Sequence, residues 1–212
     1  NDNVFVTGIY NNKLILEKLD TAGNVSWMKS IGVLTSEGYT VTSDANGNIY
    51  LSGYFWGTAD FDPGAGVANL TSNGQRDLFI EKFDAQGNYV WAKSVGGAND
   101  DFGVSLSVNS KGDVYATGYF SGLVDFDPGS GTLNLTSNGS EDIFILKLDS
   151  TGTFIWADNF GDINQDRGLS ISVNSNDEVY ITGWFSGTTN FDLGSGNTSL
   201  TSNGFWDVFI MK

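Results

Sequence analysis

The chain has 212 residues, 25 of them acidic and 10 basic, for a formal net charge of −15. Nucleic acid and anionic bilayers carry the same sign, so the charge argues against them as partners, whereas cations and neutral ligands fit better. There is no cysteine and no histidine, which excludes disulfides, thiol nucleophiles, zinc sites of the usual ligand types and histidine-based triads.

An apolar share of 40% supports a packed core, and 28 glycines beside 2 prolines describe turns and strands rather than helices. All-β is the expected fold class. The only arginines are Arg76 and Arg167, so a bidentate phosphate clamp is poorly supplied. No apolar run approaches the ~20 residues of a membrane span. Asn1 does not open a signal peptide, so a secretion signal is expected outside this sequence.

Taken in chain order, the first element group is NVFVTGIYNNKLILEKLDTAGNVSW, which runs directly from a VTG strand to an EKLD strand and on to Trp27. The remainder of the chain is periodic. Tyr50, Tyr115 and Tyr180 recur at a step of 65 residues, as do Lys82, Lys147 and Lys212. Such a step marks a repeat architecture. The third copy shows four strand signals separated by turns: GVSLSVNS, DVYATGYF, DIFILKLD and TFIWADNF. We call these strands a, b, c and d.

Strand c carries Ile143, Phe144, Ile145, Leu146 and Leu148, so it is expected to be covered on both faces. Strand a instead lines one face with Ser105 and Ser107, as if something approaches it closely. A radial stack of small twisted sheets accounts for both patterns, and the expected architecture is a β-propeller with one repeat per blade. The expected units are a partial blade over 1–37, blades over 38–100 and 101–166, and a partial blade over 167–212.

Between strands b and c a loop is spelled three times: DFDPGAGVANLTSNG at 60–74, DFDPGSGTLNLTSNG at 125–139 and NFDLGSGNTSLTSNG at 190–204. The VYATG strand, this FDPG loop, DIFILKLDSTG and GGANDDFG together resemble the bacterial β-propeller repeats called SBBP. That resemblance covers nearly the whole chain. It implies a secreted or cell-surface scaffold, and it is specific for fold rather than activity. Asp20, Asp84 and Asp149 open turns of the LDTAGN kind and are expected to bond their own backbone, with Trp27, Trp91 and Trp156 packing between blades.

The last repeat stops inside strand c at Lys212, leaving an edge that the next segment of a longer array or a partner is expected to complete; a closed four-bladed ring is the alternative. Antiparallel connectivity places the b–c loops and the d–a connections on one rim. That rim collects Asp60, Asp62, Asp100, Asp101, Asp125, Asp127, Asp162, Asp166 and Asp192. Two readings stand side by side. In one, Asp60, Asp62, Asp125, Asp127 and Asp192 hold Ca²⁺, the only cofactor contemplated. In the other they make turns while Phe126 plugs the blade edge.

The aromatic residues Tyr54, Phe55, Trp56, Tyr119, Phe120, Trp184 and Phe185 end strand b near that rim, where they either stack on sugar rings or fill core. The expected function is a non-catalytic extracellular scaffold for binding, adhesion or self-assembly. Its partners would be an extracellular ligand, a glycan or other copies of itself, with no nucleic acid and no membrane insertion. The alternatives are a glycan-active enzyme using Asp101 with Asp125 as its carboxylate pair, and a segment of an extended surface fibre.

Overall fold

The computed structural model describes residues 4–11, 13–32 and 36–212. Asn1 and the segment 33–35, within the expected first unit, lie outside the described residues. Among the described residues there are strands and no helix. The first sheet holds β1 (Val4–Tyr10), β2 (Lys13–Leu19) and β3 (Val25–Ile31). The second contains β4 (Ser36–Ser43), β5 (Ile49–Asp60), β6 (Asn69–Phe83) and β7 (Tyr89–Gly97). The third contains β8 (Phe102–Val108) and β9 (Val114–Phe120), then, past a hairpin of β10 (Leu123–Asp125) and β11 (Asn134–Thr136), β12 (Asp142–Leu148) and β13 (Phe154–Phe160). The fourth holds β14 (Arg167–Val173), β15 (Val179–Phe185) and, past a hairpin of β16 (Thr188–Asn190) and β17 (Ser199–Thr201), β18 (Asp207–Met211). All pairings within these sheets are antiparallel. The all-β expectation therefore holds, with several separate antiparallel sheets.

Turn chemistry sets the register. Asp84 accepts hydrogen bonds from the backbone N–H groups of Gln86 and Asn88 at 2.9 and 2.8 Å. Asp20 and Asp149 do the same in their own turns. Each turn then needs one residue in the left-handed region, supplied by Gly23, Gly87 and Gly152 at φ +82°, +80° and +79°. These aspartates are turn makers, as the sequence predicts.

Successive sheets lie face to face, and each junction is an apolar layer. Leu14, Leu16 and Ile31 of the first sheet meet Ile49, Leu51, Phe55 and Phe79 of the second. Leu78 and Ile80 of the second meet Ala116, Phe120, Phe144 and Leu146 of the third. Ile143 and Ile145 of the third meet Ile171, Ile181, Phe185 and Phe209 of the fourth. Strand β12 is thus covered from both sides. Each fully buried aliphatic or aromatic side chain there contributes about 1.5–3 kcal/mol.

The leading strands come closest, and polar groups explain how. The Ile171 and Val173 N–H groups of β14 donate to the Ser105 and Ser107 hydroxyls of β8 at 3.2 and 3.0 Å. Beside them, the hydroxyls of Thr7, Ser52 and Thr117 donate to carbonyls of the neighbouring strand in their own sheet. Each then abuts a glycine of the next sheet. A Cβ added to Gly38, Gly103 or Gly168 would lie 2.3, 2.5 or 2.4 Å from those hydroxyl oxygens. The close approach inferred from Ser105 and Ser107 is therefore another strand of the same kind.

Candidate functional site

The repeated loop is the first component of the rim. In the third sheet it folds as the β10–β11 hairpin, and β10 pairs with β7 of the preceding sheet through Val124↔Gly97 and Asp125↔Gly96. The loop is a clamp between neighbouring sheets. In the second sheet the same segment is continuous with long β5 and β6 strands, and the Gly32 N–H donates to the Asp60 carbonyl at 3.0 Å.

Inside the clamp Phe126 is fully buried, 5.1 Å from Phe120 and 5.2 Å from Phe144 between ring centres. Phe61 and Phe191 occupy the same niche in their own repeats. The Asp125 Oδ1 accepts from the N–H groups of Asp127 and Leu133 at 3.1 and 2.8 Å. Asp60 holds Asp62 and Ala68 likewise. Asn190, which lacks the charge, holds Asp192 and Thr198 in the same way. Asp62, Asp127 and Asp192 each accept from a glycine N–H two residues on. One oxygen of each of these six side chains is thus committed to loop geometry. Among the described residues no three acidic side chains converge as a metal site.

A second layer of aspartates is enclosed beneath. Asp101 takes N–H donors from Gly97 at 2.7 Å and Ser121 at 3.1 Å, tying the d–a connection to the following loop. Asp166 does the same with Asp162 and Ser186. Burial pushes the Asp101 carboxyl up to about 7 and those of Asp77 and Asp142 up to about 6. Asp101, the acid–base candidate, has no surface from which to reach a substrate.

The third component was only partly legible in the sequence. Strand-b residues alternate, so Phe55, Phe120 and Phe185 are buried while Tyr54, Tyr119 and Trp184 are partly open. The open ones join rings from the leading strands in a continuous arc. Tyr39 lies 5.6 Å from Tyr54, Tyr54 lies 5.1 Å from Phe102, and Phe102 lies 4.9 Å from Tyr119.

Both arginines of the chain join this arc. Arg76 sits 5.3 Å from the Tyr54 ring centre, and Arg167 sits 4.2 Å from Tyr119 and 5.4 Å from Trp184. Each guanidinium is neutralised, Arg167 by Glu141 and Arg76 by Asp100. A depression of about 420 Å³ opens beside the arc, lined by Tyr39, Val104, Tyr119, Arg167, Leu169 and Trp184. Tyr54 is pushed up to about 12 by burial and by its hydrogen bond to Glu37, so its phenol stays neutral. An aromatic surface whose two cations are each paired with a carboxylate suits stacking on an uncharged ring or an apolar side chain. The two arginines, falling at the same rim in a chain otherwise without them, were the sequence signal for this site.

No family model matches the chain. It is 28% identical over 223 residues to an uncharacterized WD repeat-containing protein, L264, of Acanthamoeba polyphaga mimivirus, with 91% of this chain and 16% of that protein aligned. It is 25% identical over 179 residues to the regulatory protein FlaEY of Caulobacter vibrioides, with 84% of this chain and 18% of that protein aligned. The chain therefore spans less than a fifth of either relative. With the four similar sheets, these likenesses support a β-rich repeat fold.

Proposed function

We propose that this chain is a non-catalytic binding scaffold of the β-propeller type. The units 1–37, 38–100, 101–166 and 167–212 are its blades, and the aromatic–arginine arc is its ligand surface. The observation that carries the reading is that the arc crosses three successive sheets, so a ligand would touch a surface that exists only when the sheets are stacked. Support for the propeller comes from the face-to-face packing through leading strands and from a WD repeat-containing relative, since WD repeats form propeller blades. The SBBP resemblance supports a secreted or cell-surface setting.

The ligand class favoured by an aromatic surface whose cations are paired is a glycan or an apolar protein segment. The enzyme alternative is disfavoured because Asp101 is enclosed and both its oxygens are occupied. Screening the protein against a glycan panel tests the proposal. Binding should fall by about two- to tenfold in Tyr119→Ala and in Trp184→Ala, the range of one lost stacking contact. Equal binding by both variants, with unchanged circular dichroism, rejects the arc as the ligand surface. A calcium ion at the free Oδ2 atoms of Asp125 and Asp127 is a second proposal, favoured only by those unbonded oxygens.

A further inference from the structure

The second repeat departs from the third at one buried place. Glu81 pairs with Ala92 across β6 and β7, and Leu146 pairs with Ala157 at the equivalent place across β12 and β13. Tyr89 pairs with Phe83 as Phe154 pairs with Leu148. A leucine and a phenylalanine therefore complete the same packing in the next repeat, and neither the carboxyl nor the phenol is needed for it.

The departure borders a niche of about 180 Å³ between the first two sheets, lined by Lys29, Asp62, Asn88 and Tyr89 among others. Lys29 reaches it from β3, where it pairs with Leu16 on the face turned to the second sheet. Asp62 comes from the loop between β5 and β6. Glu81 lies directly behind. It is fully buried and shares one face of its sheet with Ala92 and Tyr89. The Tyr89 oxygen accepts from the Ala92 N–H at 2.9 Å, which sets the phenol over the Glu81–Ala92 pair. Burial first, and the charge of neighbouring Asp62 second, keep the Glu81 proton on.

The reactive groups are uncommitted. Among the described residues Lys29 makes no hydrogen bond or ion pair, its amine resting 6.0 Å from the Trp27 ring centre. Neither Glu81 oxygen has a partner. Asp62 accepts at Oδ1 from the Gly64 N–H at 2.7 Å, and its Oδ2 has no donor. A metal ion is a poor occupant, because Lys29 already brings positive charge and no three carboxylates converge among the described residues. A diffusible molecule would not touch Glu81, which has no exposed surface. The niche instead gathers an amine, a carboxyl and an enclosed acid from one chain. We propose that Lys29 and Asp62 become joined by an intramolecular amide bond, with Glu81 as the proton relay that forms it.

The step balances without a co-reactant. The Lys29 ammonium gives one proton to the Asp62 Oδ2, and rotation of its flexible side chain brings the neutral Nζ to Cγ. As the C–N bond forms, the Gly64 N–H on Oδ1 holds the negative charge that develops there. Glu81 donates its proton to Oδ2 and recovers one from Nζ, the C–Oδ2 bond breaks, and one water leaves. Confinement of both reactants in one niche supplies the effective concentration that amide formation needs against water. A lysine amine is mostly ammonium at neutral pH, so the bond forms slowly after folding. Freshly folded protein is unlinked, and there Glu81 is only a cost to the fold.

Intact-mass spectrometry over time reads the reaction. The folded protein should lose one water, faster at pH 8 than at pH 6, and a peptide map should show Lys29 joined to Asp62. Lys29→Arg should keep its full mass. Glu81→Leu, which adopts the residue of the third repeat, should fold and slow the loss at least about a hundredfold. Glu81→Gln, of the same size, gives the same readout should leucine disturb the packing. Lys93 and Asp127 hold the equivalent places beside Leu146 and should stay unlinked. A folded chain that keeps its full mass, or that loses water at a residue other than Lys29, overturns the proposal. So does a link that forms as fast in Glu81→Leu and Glu81→Gln as in the original, or as readily at Lys93 as at Lys29.

Discussion

Glu81 and Leu146 occupy the same place in successive repeats: each lies on the middle strand, pairs across to strand b, and is fully buried against the preceding sheet. Leu146 fills an apolar layer. Among the described residues neither carboxyl oxygen of Glu81 has a hydrogen-bond partner, and burial, with Asp62 nearby, holds its proton on well above the ordinary range. An unpartnered buried polar group costs stability.

Glu81→Leu should therefore stabilise the protein, by about 1–3 kcal/mol at pH 7. Met211, at the same position in the fourth repeat, makes Glu81→Met a second choice. The benefit should shrink in acid. With its folded pKa raised, Glu81 is no electrostatic burden below the unfolded value near 4.5, and stability is lost as pH rises from there toward the folded pKa. Urea denaturation of both proteins between pH 4 and 8 checks this; a gap that widens toward acid contradicts it.

The enclosed aspartates set a wider pH dependence. Asp77, Asp101 and Asp142 have folded pKa values raised to between about 6 and about 7 from 3.8. Their contribution is fully present below pH ~4 and lost as pH rises through 6 to 7. Asp20, Asp84 and Asp149, lowered by turn hydrogen bonds, act oppositely and lose their contribution below their unfolded values. Unfolding free energy should peak between about pH 4 and 5 and fall by at least ~2 kcal/mol toward pH 7.5. A maximum at neutral pH in denaturant titrations would show that these carboxyls are ionised in the fold.

In the clamp loop, geometry outranks charge. Asp125→Asn should cost less than about 0.5 kcal/mol, because Asn190 already holds the equivalent two N–H groups with an amide oxygen. Gly131→Ala should cost more, about 1–3 kcal/mol. The added Cβ would lie 2.1 Å from the Asp127 Oδ2. Hydrogen exchange at Val124 and Gly97 reads the clamp directly; equal protection in both variants would show that the loop does not hold the sheets together.

Calcium gives the loop its second test. If Ca²⁺ binds Asp125 and Asp127 in the folded state only, it should add about 2.7 kcal/mol of stability at 100 times its dissociation constant. Chelator should remove that gain, and Asp127→Asn should abolish it. Superimposable melts in millimolar Ca²⁺ and in EDTA reject the site.

Much of this protein was decided locally and could be read from its residues. The 65-residue step, the Asp-to-Gly turns at Asp84 and Gly87, and the continuous apolar run at Ile143–Leu146 depend on neighbours in sequence and on strand period, so they fixed the all-β class and the four strands of a repeat. The plug at Phe126 was visible for the same reason. Tertiary structure decided the rest. Whether Tyr119 or Phe120 faces outward depends on which side of β9 is covered, and whether Ile143 is buried depends on the sheet that packs on it from outside. The fate of a carboxyl obeys the same rule. Asp125 keeps a free oxygen at the loop surface while Asp101, one step inward on the same rim, is closed off by two backbone donors and the sheets above it, because desolvation depends on what packs around a group and not on its place in the chain.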